Sequence, residues 1–363
     1  MFSNMNTKYI IVGILCVLLV ILGSWVMFKD KNIYEYDVKV SSAGGYSALL
    51  DFNHNYFTDQ QGKILLPFTS FGGAVADGWA GGQQATAMGI KAPLPYGVKV
   101  RWFSITENQF WEGDAVLNQE KLEQLKHYRI HDVLYHNNNN FLDLSDFVIN
   151  YAPGGLVTIW MTGSSEEYLI TQFKAHKIEV LDWDSFIQPV LGEKISRKDY
   201  LAFQMDLKNG GASLDAKIRQ EVLTKTVPGA EQWLRLMKQY SWFLKTNSSY
   251  ELKGYFANYL NGEQYSTQQN QDQIKKLRAI PIAITVLLKS YKTKENIRLD
   301  FDFNKEEIMD GFEKLSQNQQ GSEPIQLYLD INDTISEVSV YLIKGSEKIE
   351  IKNAKITQKD FPE

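Results

Sequence analysis

"PYGVKVRWFSITENQFWEGDAVLNQEKLEQLK" occupies residues 95–126, and "PIAITVLLKSYKTKENIRLDFDFNKEEIMDGF" occupies residues 281–312. With one set above the other, Pro95 meets Pro281, Val100 meets Val286, Ser104 meets Ser290, Asp114 meets Asp300, Asn118 meets Asn304 and Glu120 meets Glu306. Val98, Val100 and Trp102 fall on one face of an extended segment, as do Ile284, Val286 and Leu288, because strand side chains alternate. Each copy then reaches an Asn at the N-cap of an amphipathic helix, predicted from about Gln119 to Tyr128 and from about Lys305 to Leu315.

Downstream, "GGLVTIWMTG" (154–163) matches "EPIQLYLDIN" (323–332), and "KIEV" (177–180) matches "KIEI" (348–351). Upstream, "LLDFNHNYFTDQQGK" (49–63) and "ELKGYFANYLNGEQY" (251–265) read as corresponding hairpins. Self-similarity in order, face and cap predicts an α+β fold of two related sheet-plus-helix modules, at residues 32–185 and 249–363. Between them, residues 186–248 change character. "SLDAKIRQEVL" (213–223) and "GAEQWLRLMKQYSWFL" (229–244) carry apolar residues at helical spacing, with Pro228 ahead of the second run. They predict a helical connector.

The whole chain has 363 residues and a net charge of −5, with no block of Lys and Arg to neutralise phosphates, so nucleic acid is not an expected partner. Aromatic residues make up 13% and are spread throughout, which favours a sheet-rich core. The single cysteine, Cys16, excludes an internal disulfide. It lies in "YIIVGILCVLLVILGSWVMF" (9–28), an uncharged run long enough for a bilayer core of roughly 30 Å. Cleavage after Ser24 would put Leu22 at the −3 position, and Leu15 stands where acylation of Cys16 wants a small residue. An uncleaved signal anchor over residues 1–31 fits best. The expectation is a single-pass inner-membrane protein held through residues 9–28, with its large part in the periplasm.

"FGGAVADGWAGGQQATAMG" (71–89) holds six glycines, a density that marks tight turns or close backbone approach. A phosphate cradle fails, because Trp79 stands where the GxxxxGK pattern begun by Gly73 and Gly78 needs lysine. Trp79 either plugs the core of its own module or anchors a partner. The corresponding stretch of the second module, "STQQNQDQIKKLRAI" (266–280), has neither glycine nor tryptophan. Specific function is expected where a common scaffold differs, so Asp77, Gly78, Trp79, Gly81 and Gly82 are the candidate partner-binding residues.

Serine- and metal-hydrolase signatures and paired cysteines are absent. His127, His131, Asp132 and His136 invite a metal reading, but a helix end rich in imidazole explains them as well. Glu166 with Glu167 and Glu306 with Glu307 read as solvated faces rather than carboxylate dyads. The expectation is a protein without catalytic residues, metal or cofactor.

The chain resembles a bacterial envelope family catalogued as the domain of unknown function 2931. The residues that carry the resemblance are "DGWAGG" (77–82), "LPYGVKVRWFSITENQFWEGDAVLNQEKL" (94–122) and "YAPGGLVTIWMTG" (151–163). It continues through "WLRLMKQYSW" (233–242), "IPIAITV" (280–286) and "DFDFNKEEI" (300–308). The family supplies no catalytic residues to carry over. Its members often stand beside type VI secretion effectors, notably phospholipase toxins. The resemblance therefore implies an immunity protein that binds and neutralises a cognate secreted toxin. The alternative is a non-catalytic structural or ligand-binding envelope protein, with a hydrolase as a third class.

Overall fold

The computed structural model describes residues 33–69, 84–125, 129–131, 141–143, 145–163, 167–180, 182–206, 214–268, 277–317 and 323–360. Strands make up 50% of it and helices 22%, so the α+β expectation is corrected to a mostly β fold. Three large sheets of ten, six and five strands dominate. Aromatic and β-branched residues on alternating positions explain why: they pack well on pleated, half-buried surfaces. Among the described residues no helix is long and apolar enough to cross a membrane. That finding overturns the expected single-pass inner-membrane arrangement, whose apolar run at 9–28 lies outside the described residues.

The first half contains β1 (Tyr34–Ser42), β2 (Ala48–Leu50), β3 (Tyr56–Thr58), β4 (Ile64–Pro67), β5 (Gln84–Ala92), β6 (Gly97–Ser104) and β7 (Gln109–Val116). Helix α1 (Gln119–Leu125) follows, then β8 (Arg129–His131), β9 (Phe141–Asp143), β10 (Asp146–Ala152), β11 (Leu156–Thr162), β12 (Glu167–Lys174) and β13 (His176–Ile178). Four helices come next: α2 (Trp183–Leu191), α3 (Arg197–Met205), α4 (Ala216–Thr224) and α5 (Ala230–Leu236). The second half has β14 (Gln239–Thr246), β15 (Tyr250–Tyr259), β16 (Gln264–Gln268), β17 (Leu277–Ala279), β18 (Pro281–Ser290) and β19 (Asn296–Asp302). It ends with α6 (Lys305–Gln317), β20 (Ile325–Ile331), β21 (Val338–Lys344), β22 (Glu347–Ile351) and β23 (Lys355–Asp360).

Strand order repeats between the halves. In the first, β5-β1-β10-β11-β12 lie side by side, as do β4-β3-β6-β7-β13; in the second, the orders are β17-β14-β20-β21-β22 and β16-β15-β18-β19-β23. The one parallel pair of each half falls at the same place, β1 with β10 and β14 with β20. The hairpin turns agree atom for atom. Asp59 N donates to Lys63 O (2.9 Å) and Gly62 N to Asp59 O (3.0 Å), while Tyr259 N donates to Glu263 O (2.9 Å) and Gly262 N to Tyr259 O (3.0 Å). Both glycines sit at positive φ, +77° and +88°, where a side chain would be strained. The two helices also start alike: Asn118 Oδ1 accepts from Lys121 N (3.0 Å) and Asn304 Oδ1 from Glu307 N (3.1 Å).

Past the helices, the sequence alignment slips by one strand. "EPIQLYLDIN" forms β20, whose counterpart by pairing is β10, not the β11 of "GGLVTIWMTG". "KIEI" lies in β22, the counterpart of β12, whereas "KIEV" begins in β13. Residues 126–145 separate α1 from β10, but only 318–324 separate α6 from β20. The longer connection, which holds β8 and β9, displaces the match. The run at 229–244 is likewise split, because α5 stops at Leu236 and β14 begins at Gln239. In β14, Tyr240, Trp242 and Leu244 alternate inward and are buried, a strand period hidden inside an apparently helical spacing.

The halves meet edge to edge. Glu167 of β12 pairs with Gln264 of β16, which continues the first half's sheet into one of the second half's to give ten strands. The helical segment packs against the first half. Phe186 and Trp183 meet the Phe103 and Phe110 rings at 4.8–6.4 Å, and Trp233 meets Tyr46 edge-on at 5.6 Å. Gly154, at φ +81°, lets the β10–β11 turn touch α5, since a Cβ there would lie 2.2 Å from Ala230 N.

Candidate functional site

Asp77, Gly78, Trp79, Gly81 and Gly82 lie outside the described residues, but the strands on either side of them are placed. Their stretch joins β4, an outer strand of the six-stranded sheet, to β5, an outer strand of the ten-stranded sheet. On the entering side Phe68 is buried against Phe57, with ring centroids 5.1 Å apart, and Phe57 packs on Phe147 at 5.4 Å. On the leaving side β5 pairs with β1 through two register shifts, at Tyr36/Val38 and Val38/Lys39. Thr86 Oγ1 donates to Val38 O (3.0 Å) and Gly89 N to Asp37 Oδ1 (2.6 Å).

The outer side of β5 carries no strand among the described residues. Met88 on it is 71% exposed, and Gly89 stands at φ +60° with open space where a Cβ would point. Natural sheet edges are usually blunted by charge, proline, brevity or β-bulges, and of these β5 has the irregular pairing with β1. "QATAMGIKA" is nine residues long with Lys91 as its only charge. Such an edge can accept an extended segment of another chain by main-chain hydrogen bonding.

A second feature lies at the joint between the halves, a cleft of about 710 Å3 lined by β12, β16, β17 and α1 residues. Its charged groups are occupied. Glu263 accepts from Leu169 N (3.1 Å) and Asn261 Nδ2 (3.0 Å), with Lys121 Nζ 3.8 Å away. Arg278 donates to the Tyr255 hydroxyl (2.7 Å) and lies over the Tyr265 and Trp242 rings at 5.0 and 5.8 Å. Glu167 differs. Burial pushes its carboxyl up to about 7, against the opposing pull of the Lys39 ammonium, which itself pairs with Asp146 at 2.5 Å. These groups fasten the seam.

The remaining candidates resolve in different ways. Glu167 is half-buried at the joint rather than on a solvated face; Glu166 lies outside the described residues. Glu307 accepts from Lys352 N (2.8 Å) and Asn353 N (2.9 Å), tying α6 to the β22–β23 turn. Glu306 joins Asp310 and Glu313 around Arg235 at 3.6, 3.0 and 2.8 Å, a clamp between α5 and α6. His127, Asp132 and His136 lie outside the described residues, and only the backbone of His131 is described, in β8. Among the described residues no group of acids, histidines and cysteines could hold a metal.

A family model described as "Protein of unknown function (DUF2931)" matches residues 27–229. That range takes in the first half and α2 to α4, and it stops at the residue before α5. No curated protein matches the chain, and no solved structure does.

Proposed function

The chain belongs to the DUF2931 family of proteins of unknown function, and from that premise we propose that it neutralises a secreted antibacterial toxin by binding it. The observation that carries this reading is the open, weakly charged edge of β5, which the glycine-rich stretch enters directly. An extended toxin segment adds to β5 as a further strand, and small side chains beside it permit close approach. Backbone pairing supplies affinity, and the Met88 side chain, with Trp79 of the glycine-rich stretch, supplies specificity. The genomic placement implied by the family resemblance, beside type VI phospholipase effectors, supports a lipase effector as the partner. Neutralisation here is occlusion and needs no chemistry from this chain. A second reading, a ligand-binding envelope protein, is favoured by the cleft at the joint, where Tyr168 and Tyr265 flank polar side chains.

Calorimetric titration of the full chain with type VI lipase effectors tests the reading. Met88→Asp places a charge on the edge, and it should weaken binding about tenfold or more, which is about 1.4 kcal/mol. The thermal midpoint should hardly move, because Met88 is 71% exposed. Unchanged affinity in this variant removes β5 as the docking edge. Absence of binding by the wild-type chain removes the toxin reading itself.

A further inference from the structure

The two halves are joined by an edge pairing whose counterpart stands open. At the joint, β12 is the last strand of its sheet in the first half and β16 the first of its sheet in the second. By strand order their equivalents are β22 in the second half and β4 in the first. Among the described residues neither β22 nor β4 has a strand on its outer side. We propose that β22 of one molecule pairs with β4 of a second copy of this chain, repeating between molecules the joint made within one.

Charge supports the match. Within the molecule, Lys121 on α1 faces Glu263 at 3.8 Å. Lys121 is the third residue of its helix and Glu263 precedes β16; the equivalent positions are Glu307 in α6 and Lys63 before β4. Both signs are inverted, so the attraction is kept across the new joint while each half repels a wrong pairing. Glu167 opposite Gln264 becomes Glu347 opposite Ile64, and Ile64 is 53% exposed. Only the first residue of each strand takes part in the existing joint, so Pro67 at the far end of β4 does not obstruct it. Because the two surfaces differ, the contact is head-to-tail and either propagates or closes into a ring.

Light scattering on the full chain between roughly 10 and 500 µM reads the association, the range expected for contacts below standard interface size. The weight-average mass should rise above 41.6 kDa with concentration and fall back with salt. Lys63→Glu and Glu307→Lys should each weaken association by about fivefold or more. An equimolar mixture of the two variants should recover it, because Glu at 63 then meets Lys at 307. A mass that stays at 41.6 kDa overturns the proposal. So does association that either single variant leaves unchanged, or that the mixture fails to restore.

Discussion

Glu167 holds a carboxyl at the joint between the halves, and its burial there has a definite sign in stability. Its folded value of about 7 stands above the ordinary 4.5. Between those values the folded chain binds more protons than the unfolded one, so stability falls as pH rises through this window. Below about 4.5 the residue is protonated in both states and contributes no penalty; above about 7 the full penalty applies, at most about 3 kcal/mol. Glu167→Gln should therefore raise the melting temperature at pH 8, change little at pH 4.5, and flatten the profile between. Equal effects of the substitution at both ends would show that the group is not held protonated. At this scale the sequence is a poor guide. Glu167 reads as a surface acid because nothing near it in sequence indicates that β16, far along the chain, closes over it.

Elements were more legible, where one short segment contains its own determinants. Asn118 and Asn304 announce their helices because an N-cap depends on a residue and the turn that follows it. Asn118→Ala and Asn304→Ala should each lower unfolding free energy by about 1 kcal/mol in urea titrations, and the double variant by their sum. A loss well short of that sum would mean the helices are not independently anchored. Period fails where two periods coincide, as in 229–244, whose apolar residues fit a helix although Tyr240, Trp242 and Leu244 point inward from a strand. The alternation that identified β6 and β18 could not number the strands after α1. Any alternating strand resembles its neighbour, and the β8–β9 insertion shifted the count.

At the scale of the whole molecule, two sandwich-like halves share a strand order, and one residue pair, Glu167 with Gln264, carries a sheet of the first into a sheet of the second. Glu263 fastens that joint by taking two donors and lying 3.8 Å from Lys121. Glu263→Ala would leave the Leu169 amide without its acceptor, and it should cost about 2–3 kcal/mol in thermal or urea unfolding. A single cooperative transition that splits into two in this variant would mark the seam as the coupling element; a loss under about 0.5 kcal/mol would show that it is not. No sequence pattern reports such a joint, because one pair of residues drawn from distant segments leaves no periodicity. The proposed partner site was legible only as a location. The glycines drew attention to 71–89, but exposure at Met88 and the open edge of β5 depend on where β1 and β4 end in their sheets.

Hydrogen exchange by mass spectrometry, on the full chain with and without a type VI lipase effector that it binds, tests docking on β5 directly. Amides on an open edge exchange with solvent until another strand pairs with them. If a toxin segment extends the sheet, exchange across 84–92 should slow by about tenfold or more on complex formation, while β14 and β20 stay unchanged. Unaltered exchange across 84–92 in a saturated complex, with protection elsewhere, would contradict docking on β5.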